Sequence, residues 1–189
     1  MGYSRAELES FRDATIPDLT GPGLRLLFVG INPGLWTAAT GTPFSRPGNR
    51  FWPALVEAGI LPRLPAYTGP LDAADRAMIF EAGVGVSNLV ARATARADEL
   101  DRDELRAGAR ALEARVTALS PRAVAVVGLT AYRQGFDRAA AVAGRQDESI
   151  GGAPTWVLPN PSGLNAHDTV ASLARAYAAP ARAAGILPA

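Results

Sequence analysis

Four short apolar runs constrain the fold of this 189-residue chain more than any other feature of its sequence. They occupy residues 24–29, 84–86, 123–127 and 155–158, and each leads into glycine, proline or a polar residue. Runs of this length that carry β-branched side chains are typical of buried parallel strands. Helical patterns lie between them. The sequence therefore predicts a three-layer α/β/α fold in which helices cover both faces of a short central parallel sheet.

Apolar side chains at helical spacing predict four helices, over residues 49–59, 101–119, 130–143 and 168–179. The last of these is expected to begin at Asp168 or Thr169 and to stop at Pro180, because proline interrupts a helix. Residues 30–52 are predicted to form a long loop over the end of a strand.

Three segments begin where a predicted strand ends: residues 30–35, Ser87 with Asn88, and residues 160–165. The carboxyl ends of parallel strands meet at one edge of the sheet, and ligands bind outside that edge. The three segments are therefore expected to converge on one site.

Composition excludes several kinds of chemistry. The chain has no cysteine and one histidine, which removes disulfides, thiolate nucleophiles, zinc–thiolate sites and a three-histidine metal site. All 19 basic residues are arginine, so a phosphate-binding loop with its lysine is also absent. A serine triad would need Ser162 with His167, and nothing in their spacing specifies that geometry. We expect no metal and no cofactor.

Length and composition indicate one ordinary globular domain over residues 1–189. No apolar run approaches the roughly 20 residues of a membrane span, and the first residues lack the apolar core of a signal peptide. We therefore expect a cytoplasmic, monomeric protein that is not bound to membranes. The net charge is only +1, so binding to nucleic acid would need a local basic patch.

The converging segments carry groups that suit recognition of a flat, polar ligand. The amide of Asn32 can orient a water or read the imide edge of a base. The ring of Phe44 suits two roles equally well from sequence alone, filling the core or stacking on a ligand. Asn160 can donate to a ligand carbonyl. Leu164 is either an ordinary exposed leucine or an apolar wedge on a stiff loop.

Together these segments resemble a known family. Residues 30–35 (GINPGL), 41–44 (GTPF) and 47–52 (PGNRFW) resemble the first motif region of the mismatch-specific uracil-DNA glycosylases, relatives of the thymine-DNA glycosylases. Residues 85–90 (GVSNLV) resemble the middle segment of that family, and residues 160–165 (NPSGLN) resemble its second motif. The order and separation of the motifs also agree, and the resemblance extends from about residue 24 to the last helix.

The resemblance implies a role for each matching position. Asn32 would position the hydrolytic water, and Ile31 would contact the extruded base through its backbone. Phe44 would stack on that base, Thr37 would lie near the pyrimidine C5 position, and Asn160 would contact the base. In the second motif, Leu164 would fill the space left in the duplex, while Gly163 and Asn165 would belong to the loop that reads the orphaned guanine.

The sequence departs from the family pattern beyond the middle segment, where Ala91 and Ala93 replace residues of other types. Asp98 also stands where an amide or neutral residue is usual. A carboxylate there could act on a water, so Asp98 is a second catalytic candidate beside Asn32. The competing interpretation is a solvated residue that precedes an acidic helix start.

The resulting hypothesis is a base-excision repair glycosylase that acts on double-stranded DNA. It would extrude uracil mispaired with guanine, with mispaired thymine as a second candidate substrate, and would hydrolyse the N-glycosidic bond to leave an abasic site. Two alternatives remain open from the sequence. One is a lesion-binding protein without activity, since the proposed catalyst is only an amide. The other is an α/β nucleotide-binding or hydrolytic enzyme of another class.

Overall fold

The computed structural model of the protein describes residues 2–163 and 167–189. Its centre is a five-stranded sheet in the order β2-β1-β3-β5-β4. The strands are β1 (Leu26–Gly30), β2 (Val84–Asn88), β3 (Ala123–Val127), β4 (Gly144–Arg145) and β5 (Thr155–Leu158). The first three and β5 pair in parallel, and the two-residue β4 lies antiparallel at one edge. The predicted parallel sheet is confirmed, and its antiparallel edge strand is an addition.

Helices cover both faces of the sheet, as the sequence predicts. The helices are α1 (Arg5–Glu9), α2 (Leu35–Thr40), α3 (Phe51–Glu57), α4 (Ala73–Glu81), α5 (Arg102–Leu119), α6 (Leu129–Gly135) and α7 (Val170–Ala183). One buried apolar cluster joins α3, α4 and α7 to one face of the sheet. A second cluster joins α5 and α6 to the other face. Alternate residues of β1 serve the two clusters, so the strand is buried on both sides.

Three expectations about helix bounds are wrong. The last helix continues through Pro180 to Ala183, because burial of Ala181 and Ala184 offsets the backbone hydrogen bond that proline cannot make. The helix predicted over residues 130–143 ends at Gly135, and Asp137 follows with a left-handed φ of 54°. Residues 30–52 are not one continuous loop, since α2 lies within them.

The N-terminal part of the chain packs beside the segment that follows β2. Helix α1 starts with a capping box formed by Ser4 and Glu7. After it, the Asp13 N–H donates to the carbonyl of Ala93 over 2.9 Å, and the Ala93 N–H donates to the carbonyl of Ala14 over 2.9 Å. In the part of the chain that the structure describes, no helix is long and apolar enough to cross a membrane.

Candidate active site

A cavity of about 660 Å³ opens at the carboxyl edge of the sheet. This volume lies within the range of roughly 300–1,000 Å³ that small-molecule sites occupy. The segments after β1, β2 and β5 all contribute to its lining, so the predicted convergence is confirmed. The candidate residues that line the cavity are Ile31, Asn32, Thr37, Phe44, Asp98 and Asn160.

The side-chain amide of Asn32 has a defined orientation. Its Nδ2 donates to the Arg92 carbonyl over 3.0 Å and to Thr94 Oγ1 over 2.8 Å. Thr94 Oγ1 in turn donates its single proton to the carbonyl of Arg96 over 2.7 Å. Both partners of the amide are therefore acceptors, and only the nitrogen of Asn32 can face them. The amide oxygen is left as the acceptor that Asn32 can offer to a water in the cavity.

Backbone pairing brings the two partners of Asn32 into reach. Beyond β1 and β2 the chains stay side by side, since Leu89 and Val90 donate to the carbonyls of Gly30 and Ile31 over 2.8 and 2.9 Å. Farther on, the Thr94 N–H donates to the carbonyl of Pro33 over 3.1 Å. The parallel register of the sheet thus continues into the site and sets the position of the acceptors.

The ring of Phe44 packs against the core and also borders the cavity. It stacks on Phe51 with 4.1 Å between ring centroids and 24° between planes, and Phe51 is fully buried. Phe51 is itself surrounded by the rings of Phe28, Trp52 and Tyr177. Phe44 also lines the cavity and is partly exposed. A ring that is supported on one face and borders a cavity is suited to stack on a planar ligand.

The loop that carries Phe44 is held on both sides. The indole N–H of Trp52 donates to the carbonyl of Pro43 over 2.8 Å, and Thr42 Oγ1 donates to the carbonyl of Gly69 over 2.8 Å. Phe44 has a left-handed φ of 56°, a conformation that side chains rarely adopt without such support. Gly30 is required beneath the ring, since a Cβ there would lie 2.8 Å from Asn88 Oδ1 and 3.3 Å from Phe44 Cζ.

Asn160 enters the cavity wall with its amide oriented by its own loop. Its Oδ1 accepts the N–H of Ser162 over 2.9 Å, which sets the direction of the amide. Gly163 is exposed at the end of the described part of this loop. The expected duplex-contacting residues Leu164 and Asn165 lie outside the described residues.

Arg50 fixes the chain on both sides of residues 164–166. Its guanidinium donates to the carbonyl of Ser162 over 2.6 Å and to the carbonyl of Asp168. Its backbone N–H donates to the carbonyl of Pro161 over 3.0 Å. One arginine at the start of α3 thus holds the ends of the second-motif loop next to the first-motif region.

Asp98 lies at the rim of the cavity in a 3₁₀ turn over Ala97–Glu99. Its side chain is 63% exposed and forms a two-point ion pair with the guanidinium of Arg96. The position allows contact with a ligand in the cavity, and the ion pair engages both carboxylate oxygens. Thr37, in contrast, is buried on α2. Ile31 borders the cavity, and its carbonyl accepts the N–H of Val90.

The structure adds site residues that the sequence analysis did not assign. Thr94 orients Asn32, and Arg46 and Arg5 lie exposed in the rim of the cavity. Asn88, from one of the three segments predicted to converge, lines the cavity at the end of β2. Thr94 is remote in sequence from Asn32, and only the parallel register joins them. Among residues 2–163 and 167–189, no group of three histidine, aspartate or glutamate side chains could hold a metal ion.

Comparison with known proteins indicates a family and a fold. The family model described as "Uracil DNA glycosylase superfamily" matches residues 17–179. Among solved structures, the chain is similar to a candidate uracil DNA glycosylase from Methanosarcina acetivorans whose structure was determined by solution NMR. The TM-score is 0.55 at 16% sequence identity, and the match covers 88% of this chain and 96% of the other. At this identity the second similarity concerns the fold alone.

An ion pair behind the site makes a prediction about pH. Arg92 and the Asp101 N–H lower the pKa of Glu104 from its ordinary 4.5 to about 2. A depressed carboxyl pKa contributes stability above the unfolded value, and this contribution is lost as the pH falls from about 4.5 toward 2. We expect the urea midpoint of Glu104→Gln to lie below that of the wild type by the same amount at pH 7 and at pH 5. This difference in midpoint should shrink at pH 3.5.

Glu113→Gln is the matched control, because Glu113 lies on the exposed side of the same helix. Its urea midpoint should stay within error of the wild type at all three pH values. A difference in urea midpoint for Glu104→Gln that is unchanged or larger at pH 3.5 would contradict the lowered pKa of Glu104.

Proposed function

Because the chain belongs to the uracil-DNA glycosylase superfamily, whose model matches residues 17–179, we propose that it excises uracil mispaired with guanine from double-stranded DNA. Membership of the superfamily supports a DNA repair glycosylase that hydrolyses N-glycosidic bonds. One observation carries the specific proposal. The cavity brings the supported ring of Phe44 together with an Asn32 amide whose oxygen is the acceptor available for a water.

The first step is extrusion of the base. A glycosidic bond inside a duplex is inaccessible, so the nucleotide must rotate out at a cost of roughly a few kcal/mol, less at a mispair. Phe44 offsets this cost by stacking on the extruded pyrimidine. Leu164, which lies outside the described residues, would fill the vacancy in the duplex, and Gly163 and Asn165 would face the unpaired guanine.

The second step is cleavage of the bond. Negative charge develops on the departing base, and the Nδ2 of Asn160 can donate to a base oxygen that carries part of this charge. Ile31 would add a backbone contact to the same base. Asn32 Oδ1 accepts a hydrogen bond from the water that attacks the sugar. An amide is too weak a base to remove the proton early, so the glycosidic bond must break before the water attacks. The water oxygen then bonds to the anomeric carbon and its proton passes to the departed uracil anion, so the rate should be modest.

The proposed mechanism makes Asn32 essential. We expect Asn32→Ala to slow uracil release from a U·G duplex by roughly 100-fold or more, as loss of a positioned catalytic group does. Alkali treatment of the incubated duplex converts each abasic site into a strand break, which gel electrophoresis quantifies. Asp98→Asn is the comparison variant, because Asp98 is the second catalytic candidate and both its oxygens bind Arg96. We expect it to retain most of the activity.

Three outcomes separate the hypotheses. A wild-type protein that binds the U·G duplex but produces no breaks would identify a lesion-binding protein. If Asn32→Ala kept wild-type activity, the mechanism would be wrong even with the function intact. A loss in Asp98→Asn as large as that in Asn32→Ala would assign a catalytic role to the carboxylate.

Specificity for mispairs is the finer part of the proposal. Thr37 is buried beside the cavity, where we propose that it faces the pyrimidine C5 position. A single methyl group changes discrimination by only about 1–3 kcal/mol. We expect U·G to be cut fastest and T·G roughly 10- to 100-fold more slowly, and we expect Thr37→Ala to narrow this gap. Parallel time courses on U·G, T·G, U·A and single-stranded uracil would measure the relative rates of excision. Equal rates on all four substrates would contradict mispair specificity.

Arg46 is proposed to bind a phosphate of the strand that carries the extruded nucleotide. It is exposed in the cavity rim, and no group in residues 2–163 or 167–189 accepts a hydrogen bond from its guanidinium. Arg46→Ala should weaken duplex binding and reduce the slope of log K against log[salt] by about 1. Arg110→Ala, outside the cavity lining, is the control. A slope unchanged by Arg46→Ala would exclude the contact.

A further inference from the structure

Arg92 joins four parts of the molecule behind the candidate active site. Its Nε donates to Glu104 Oε1 over 2.5 Å and its Nη2 donates to Glu104 Oε2 over 3.0 Å. Its Nη1 donates to Asp13 Oδ1 over 3.0 Å, and Nη2 also reaches the carbonyl of Glu99 over 3.2 Å. One guanidinium thus joins the segment that carries Arg92 to three others: the N-terminal segment, the start of α5 and the 3₁₀ turn.

The backbone of the same residue faces the site. The carbonyl of Arg92 accepts one of the two hydrogen bonds that orient the Asn32 amide. Thr94, two residues later, accepts the other. The segment is held between two neighbours, since Ala93 pairs with Asp13 and Ala14 on one side while Thr94 pairs with Pro33 on the other. The Arg92 side chain adds a further anchor to this segment, at the residue whose carbonyl contacts Asn32.

We propose that Arg92 is a positioning residue for catalysis, which holds its own carbonyl, and with it the Thr94 hydroxyl, where they orient the Asn32 amide. This inference deepens the proposed function and rests on it. The side chain makes no contact with the reacting atoms. It acts through the loop backbone, and the two-point geometry with Glu104 requires a planar guanidinium, which an ammonium group cannot reproduce.

A misplaced amide lowers the rate of the chemical step and leaves duplex binding intact. A misplacement on the order of 1 Å costs up to about 100-fold in rate. We therefore expect Arg92→Ala to lower the single-turnover rate of uracil release by roughly 10- to 100-fold at saturating enzyme. Its Kd for an uncleaved G·C duplex of the same length should stay within about twofold of wild type. Arg92→Lys should recover only part of the rate.

A general loss of stability is distinguished by a matched control. Arg106 also joins two carboxylates, with donors 2.8–3.0 Å from Asp137 and 3.7 Å from Asp103, and it does not line the cavity. Arg106→Ala removes a comparable surface ion-pair cluster. We expect it to lower the thermal midpoint to a similar extent as Arg92→Ala and to leave the single-turnover rate unchanged.

The decisive measurement is coupling to Thr94. If both residues act through the same amide, Arg92→Ala combined with Thr94→Val should reduce the rate by much less than the product of the two single effects. Multiplied effects, an unchanged rate in Arg92→Ala, or a loss confined to duplex affinity would each overturn the inference. If Arg92→Ala does not fold, the same rate and coupling to Thr94→Val are measured with Arg92→Lys. A wild-type protein that releases no uracil would instead refute the proposed function itself.

Discussion

The orientation of one amide organises the candidate active site. Asn32 follows β1, and both acceptors that fix its nitrogen belong to the segment after β2. They can meet because the two strands are parallel neighbours whose pairing continues past the end of the sheet. The same register keeps Gly30 beside Asn88, which leaves room for the ring of Phe44. The orientation of the Asn32 amide and the floor of the cavity therefore both depend on the parallel pairing of β1 with β2.

Support for this pairing comes from opposite sides of the molecule. On one face, Phe51 carries the aromatic cluster beneath Phe44, and Arg50 beside it holds both ends of the second-motif loop. On the other face, Glu104 at the start of α5 binds Arg92 and so anchors the acceptor segment. A weakly basic catalyst such as an amide contributes mainly through its placement. The contacts that hold Asn32 in place thus suit a mechanism in which the catalytic group is weakly basic and acts through its position.

Much of this arrangement follows from local patterns in the sequence. The apolar runs predict the parallel strands, and their ends predict where Asn32 and Asn160 meet, because the edge of a parallel sheet is a topological consequence. Interactions between remote segments are not predictable in this way. Thr94 and Arg92 contact Asn32 only through strand register, and burial of Ala181 carries α7 through Pro180 against the local preference of proline. The position of Phe44 between the core and the cavity likewise depends on the tertiary stack with Phe51.

The central claim is that the cavity receives an extruded pyrimidine against Phe44 with its sugar next to Asn32. A crystal structure of the full chain on a duplex that contains a 2′-fluoro-substituted deoxyuridine opposite guanine tests this directly, since the fluorine slows cleavage. The account predicts the uracil ring stacked on Phe44, with a water between Asn32 Oδ1 and the anomeric carbon. A uracil that remains in the helix, or that occupies the cavity with its sugar away from Asn32, would contradict it.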